Sequence, residues 1–142
     1  MAPLKIEMEV VIARPVSEVF AAWTTADALA SWFAPMAVST PAVALDFVEN
    51  GSYSIEMRLP DDAVFVTRGE FREIEPEKKI VMTWHCSAFP DPESLVTVTF
   101  EPVTGGTRLI LLHERFRTEE TCENHRHGWE ACLAALEQYV CQ

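Results

Sequence analysis

The stretch CENHRHGWEACLAAL, residues 122–136, sets two histidines, two cysteines and a tryptophan inside what otherwise reads as one amphipathic helix. Imidazoles at such positions can move protons, bind a metal, or orient a ligand in an apolar pocket. Stepping about 100° per residue from His125 brings Cys122, Trp129, Cys132, Leu136 and Val140 onto one stripe. His127 falls on the opposite side with Glu123, Glu130, Ala134 and Gln138. His125 is therefore expected inside and His127 in water. Gly128 sits at the edge of the stripe, where it lowers helix propensity by about 1 kcal/mol, which points to a packing or pocket reason for it.

A second histidine joins the first. In TRLILLHE, residues 107–114, Arg108 and Glu114 mark the outward parity of a strand, so Thr107, Leu109, Leu111 and His113 face inward. His113 and His125 then share one interior. As an acid/base pair they would be desolvated, with lowered pKa values that keep them neutral. No G-x-S-x-G elbow is present and no inward carboxylate lies clearly beside either ring, so no catalytic residue is assigned. A metal reading would take Cys122 and His125, with His113 or Cys86 from a strand. Nothing fixes the two remaining ligands, and buried cysteine is common for purely apolar reasons, so no metal and no cofactor are assigned.

The elements that must hold these residues follow from hydrophobic periodicity. Leu4, Ile6, Met8, Val10 and Ile12 alternate with polar residues, a half-buried strand. Pro15 opens a short helix with Val16, Val19, Phe20 and Trp23 on one face, and a second spans about Asp27–Trp32, ended by Pro35. A period of two then persists. Tyr53, Ile55, Met57 and Leu59 face one way, between strands expected at Val43–Glu49 and Ala63–Ile74, and three more follow at Lys78–Cys86, Leu95–Glu101 and Thr107–Glu114. PDD, EPEKK, FPDPES and VTGG separate them with turn chemistry. Inward positions include Phe65, Thr67, Gly69 and Phe71, then Ile80, Met82 and Trp84, then Val96, Val98 and Phe100. The last element runs from an N-cap at Thr118 to Val140. The class is α+β: a curved antiparallel sheet of about seven strands wrapped around a long C-terminal helix, with two short helices after the first strand, a helix-grip arrangement.

The composition narrows the function classes. A chain of 142 residues with 49% hydrophobic content suits a single domain over 1–142 with a real core. A net charge of −11 repels polyanions, so nucleic acid is not an expected partner. No apolar run approaches the roughly 20 residues of a membrane span, and the N-terminus is not signal-like, so a cytoplasmic location is expected. The four cysteines form no CxxC pair and are read as reduced.

Five segments in order carry a resemblance: ARPVSEVFAAWTTADALASWFAP at 13–35, NGSYSIEM at 50–57, GEFREIEP at 69–76, GTRLILLHE at 106–114 and HGWEACLAALEQYV at 127–140. Together the chain resembles the activator-of-heat-shock-protein-ninety-ATPase family. That family sits in the superfamily of START domains, polyketide cyclases and the birch-pollen allergen. The resemblance implies a START-like fold with a deep apolar cavity between sheet and terminal helix, and no shared catalytic residue. Asn50–Gly51 stands where the family often has paired glycines. The eukaryotic co-chaperone has an additional N-terminal domain for which these residues leave no room, which argues against chaperone activation.

The leading reading is a binder of an apolar small molecule in that cavity. Its expected ligand-binding residues are Trp32 and Phe33 on the segment after the second helix, Met57, Phe71, Trp84 and Val98 on the sheet, His113, and His125, Trp129 and Cys132 on the helix. The alternatives are a cyclase- or hydrolase-type enzyme using His113 or His125, and a co-chaperone-like interaction module. A homodimer is left open.

Overall fold

A computed structural model describes residues 4–33, 42–89 and 92–142. Pro35, expected to end the second helix, lies outside the described residues. The alternating apolar segments all become strands, and the order along the chain is β1 (Ile6–Ile12), α1 (Val16–Ala21), α2 (Ala26–Trp32), β2 (Ala42–Leu45), β3 (Ser52–Arg58), β4 (Val64–Glu75), β5 (Lys79–Cys86), β6 (Ser94–Val103), β7 (Gly106–Glu114) and α3 (Glu119–Val140). They form one curved antiparallel sheet in the order β1-β7-β6-β5-β4-β3-β2.

Strand parity holds throughout the middle of the sheet. Ile80, Met82 and Trp84 on β5, Val96, Val98 and Phe100 on β6, and Leu109, Leu111 and His113 on β7 are all buried. Against them α3 lays Cys122, Gly128, Trp129, Cys132, Leu133 and Leu136. Each large side chain buried in this way contributes roughly 1.5–3 kcal/mol. The helix starts where expected, because the Thr118 hydroxyl accepts from the Thr121 N–H and Glu119 and Glu120 occupy the positive N-terminal turn.

Two local departures have clear causes. The strand expected over Val43–Glu49 ends at Leu45, because the chain folds back through Val48 N–H to Asp46 O and Gly51 N–H to Val48 O, with Asn50 at positive φ. Asparagine tolerates that conformation better than most residues. Trp23 lies just past α1 rather than within it, yet its ring is buried.

The sheet bends at β4, where the pairing with β5 shifts register between Phe71 and Glu73. Nearby, the β5 backbone presses so close to Gly69 that a Cβ there would lie 2.0 Å from the Thr83 carbonyl oxygen. The Tyr53 hydroxyl donates to that same oxygen at 2.5 Å, which locks β3 to β5 across β4. These contacts fix where β5 presents Trp84 to the helix.

Candidate functional site

Two histidines and two tryptophans meet between the sheet and α3. The Trp129 indole N–H donates to His113 Nδ1 at 3.0 Å. An indole nitrogen only donates, so this imidazole nitrogen carries no proton. His113 Nε2 must then hold the ring proton, and it donates to Ser94 Oγ at 2.7 Å. The Ser94 hydroxyl in turn donates a hydrogen bond to the Trp84 carbonyl at 3.0 Å. The second histidine is held the other way round. Trp84 Nε1 donates to His125 Nε2 at 3.2 Å, so His125 is protonated on Nδ1 and donates to the Thr121 carbonyl at 2.9 Å.

Both rings are thus neutral, in opposite tautomers, with centroids 5.1 Å apart. Burial first, and then the neighbouring His125, hold His113 well below the usual imidazole range. His113 is fully buried, whereas His125 is only half-buried, which corrects the expectation that it lies wholly inside. His125 sits in the second turn of α3. His127 is exposed as expected, 4.0 Å from Glu123.

The Ser94–His113 pair has the separation of a nucleophile and its base, but the opposite polarity. A base must accept the hydroxyl proton, and here Nε2 already carries one and gives it to the serine oxygen. Ser94 borders a cleft of about 10 Å³, too small for a substrate. As for the metal reading, no group of three or more candidate ligands gathers among the described residues. Burial also pushes the Cys122 thiol up, away from the thiolate that would bind a metal.

Beside this network lies a cavity of about 60 Å³, walled by Met57 of β3, Phe65 and Thr67 of β4, Trp84 and Cys86 of β5, Ala88, Phe33, and Asn124, His125, Gly128, Trp129 and Cys132 of α3. Its volume is several times what one water needs, roughly 10–15 Å³. It is well short of the roughly 300 Å³ at which drug-sized sites begin. The deep cavity implied by the resemblance is therefore largely filled by aromatic rings. A second, enclosed chamber of about 20 Å³ lies deeper, bordered by Trp23, Phe71 and Tyr53 and sharing Phe33, Trp84 and Trp129 with the first.

Of the residues singled out in the sequence, Phe33, Met57, Trp84, His125, Trp129 and Cys132 line the cavity, and Phe71 lines the inner chamber. Trp32, Val98 and His113 line neither. Trp32 is tied into the core by its indole N–H to the Ala22 carbonyl at 2.9 Å, and Val98 is fully buried on β6. Sequence reasoning missed Cys86, Ala88 and Asn124 as cavity walls. Phe65, Thr67 and Gly128 carried a legible signal, inward parity for the first two and a helix-weakening glycine for the third.

A larger groove of about 750 Å³ runs beside β2, β3 and β4, lined in part by Ser52, Ser54, Arg68, Glu70 and His85. It is open and mixed in charge, with the solvent-facing parity of these strands. The smaller cavity beneath α3 is less open and has the convergence of apolar walls and a few polar groups that small-molecule sites show.

The family described as "Activator of Hsp90 ATPase homolog 1-like protein" matches residues 13–141. Protein CV1439 from Chromobacterium violaceum superposes with a TM-score of 0.86 at 23% identity, covering 98% of each chain. The AHSA1-like protein from Aeromonas hydrophila gives 0.79 at 25% identity, over 96% of this chain and 91% of its own. DynU16, from the dynemicin biosynthetic locus, gives 0.81 at 19% identity, over 99% of this chain but 48% of its own. No match is found among functionally curated proteins.

Proposed function

The chain belongs to the activator of Hsp90 ATPase homolog 1-like family, and from that premise we propose that it binds a small apolar molecule in the cavity beneath α3, which at about 60 Å³ must widen to admit a ring. The observation that carries this reading is the cavity itself: apolar on most sides, backed by two tryptophans whose N–H groups are already committed, with His125 and Asn124 at its polar edge. Apolar walls supply affinity and the few polar groups supply orientation. The fold relationship to a protein of the dynemicin biosynthetic locus is in keeping with small-molecule handling.

The catalytic alternative is less well supported. Both nitrogens of His113 and both of His125 are engaged within the fold, so neither ring can take a substrate proton without first breaking a bond to an indole or a carbonyl. The co-chaperone alternative gains little from the surface. The exposed large apolar side chains among the described residues, Val11, Val48 and Val64, lie on separate elements rather than in one patch.

The direct test is a ¹H–¹⁵N NMR titration of the intact protein with isopropylbenzene. Saturable shifts at Gly128, Trp129 and Cys132 are expected. Shifts that are absent, or spread evenly over the surface, would overturn the cavity as the site.

A further inference from the structure

The groove beside β2, β3 and β4, at about 750 Å³, shares no lining residue with the cavity beneath α3. Its size falls within the roughly 300–1,000 Å³ of small-molecule sites. Strand register sets Ser54, Arg68 and His85 side by side across β3, β4 and β5, and all three line the groove. Neighbouring strands lie about 4.8 Å apart, so a hydroxyl and an imidazole flank Arg68, one on each side. One row along, Ser52 also lines the groove, next to Asp46, whose N–H donates to the Ser52 carbonyl at 2.9 Å.

Every other cation on the strands has a carboxylate partner: Arg58 has Asp62, Arg72 has Glu70, Lys79 has Glu73 and Glu75, and Arg108 has Glu9 and Glu101. Arg68 has none among the described residues, although the chain carries 22 acidic residues against 11 basic ones. At the other end of the groove the Asp46 carboxylate likewise has no cation. We infer that the groove is a second binding site, for a zwitterion of the amino-acid or short-peptide class. Its carboxylate lies on Arg68, between Ser54 and His85, and its ammonium lies on Asp46.

Charge and distance select this class. A simple anion would be repelled by the net charge of −11 and by Asp46 and Glu93 on the groove walls. A simple cation would leave the guanidinium unused. A zwitterion has no net charge to be repelled and supplies both missing partners, with the planar carboxylate matching the donor fork of arginine. Two strand spacings separate Arg68 from Asp46, about 10 Å across the sheet. An extended tripeptide covers that span at roughly 3.3–3.6 Å per residue.

The experiment titrates the intact protein, by ¹H–¹⁵N NMR, with triglycine, with N-acetyl-triglycine, which lacks the ammonium, and with triglycine amide, which lacks the carboxylate. Triglycine should give saturable shifts at Ser54, Arg68 and His85, and each blocked peptide should bind roughly fivefold or more weakly. In Arg68→Gln, triglycine should fall to the affinity of its amide, while the amide binds no more weakly than before. Arg68 is exposed, so the variant is expected to fold, and the three-peptide comparison on the wild type stands without it. Absent or unsaturable triglycine shifts, shifts centred elsewhere, a blocked peptide that binds as well as triglycine, or undiminished triglycine binding by Arg68→Gln would each overturn the assignment. None of these outcomes touches the cavity reading, whose signals are at Gly128, Trp129 and Cys132.

Discussion

Trp129 and His113 are joined by an indole-to-imidazole hydrogen bond of 3.0 Å that fixes the proton of His113 on its far nitrogen, facing Ser94. The bond requires a neutral ring, because a protonated Nδ1 would point its own hydrogen at the indole N–H. The folded pKa of His113 accordingly lies well below its ordinary value of 6.5. Above about pH 6.5 the ring is neutral in both folded and unfolded chains, and its contribution to stability is complete. As pH falls below 6.5 the unfolded chain takes up the proton first. Stability then declines with a limiting slope of about 1.4 kcal/mol per pH unit until the folded pKa is reached. His113→Leu should flatten this acid limb in chemical denaturation at a series of pH values, while His127→Leu, on the exposed side of α3, should not. An unchanged acid limb in His113→Leu would contradict the tautomer assignment.

Ser94→Ala separates a structural serine from a nucleophile. It leaves the His113 Nε2–H without an acceptor in a site that is fully buried. The expected cost is about 1–3 kcal/mol of unfolding free energy. Ligand affinity should stay within twofold, because Ser94 does not border the cavity. Equilibrium unfolding and the isopropylbenzene titration check both halves.

Removing α3 should abolish cooperative folding. The helix contributes Trp129, Cys132, Leu133 and Leu136 to the core opposite β5, β6 and β7. At roughly 1.5–3 kcal/mol for each large side chain, their loss approaches the whole stability of a typical domain. A chain ended at Arg117 that still melts cooperatively in a calorimeter would count against the helix as one wall of the core.

Periodicity was enough to reveal much of this architecture. Alternation alone oriented Trp84, Val96, Val98 and His113 inward, because a strand with one buried face tolerates no slip of register. The helical phase separated His125 from His127 for the same reason. What periodicity does not contain is pairing across elements. Trp84 and His125 are 41 residues apart, and Trp129 and His113 are 16 apart. These pairs join β5 and β7 to α3, so only the way the helix packs across the sheet brings the rings together. Trp32 lines neither space, because its capture by the Ala22 carbonyl depends on a turn, not on a period. The cavity was expected to be deep because aromatic volume is not legible until the rings are seen to stack.

Gly128→Ala distinguishes a cavity used for binding from a mere packing defect. Gly128 is buried on α3 and borders the cavity of about 60 Å³, so a methyl group added there is expected to take up part of that space. Alanine also favours the helix by up to about 1 kcal/mol over glycine. The variant should therefore fold with unchanged or slightly raised stability, while isopropylbenzene affinity falls at least fivefold, because the methyl occupies room the ligand needs. Ala134→Gly, on the exposed side of the same helix, serves as the control. It should lose about 1 kcal/mol of stability and leave binding unchanged. Thermal unfolding and NMR titration of the two variants together decide the matter. If Gly128→Ala gains stability and binds isopropylbenzene as well as the wild type does, the space beneath α3 is not the binding site.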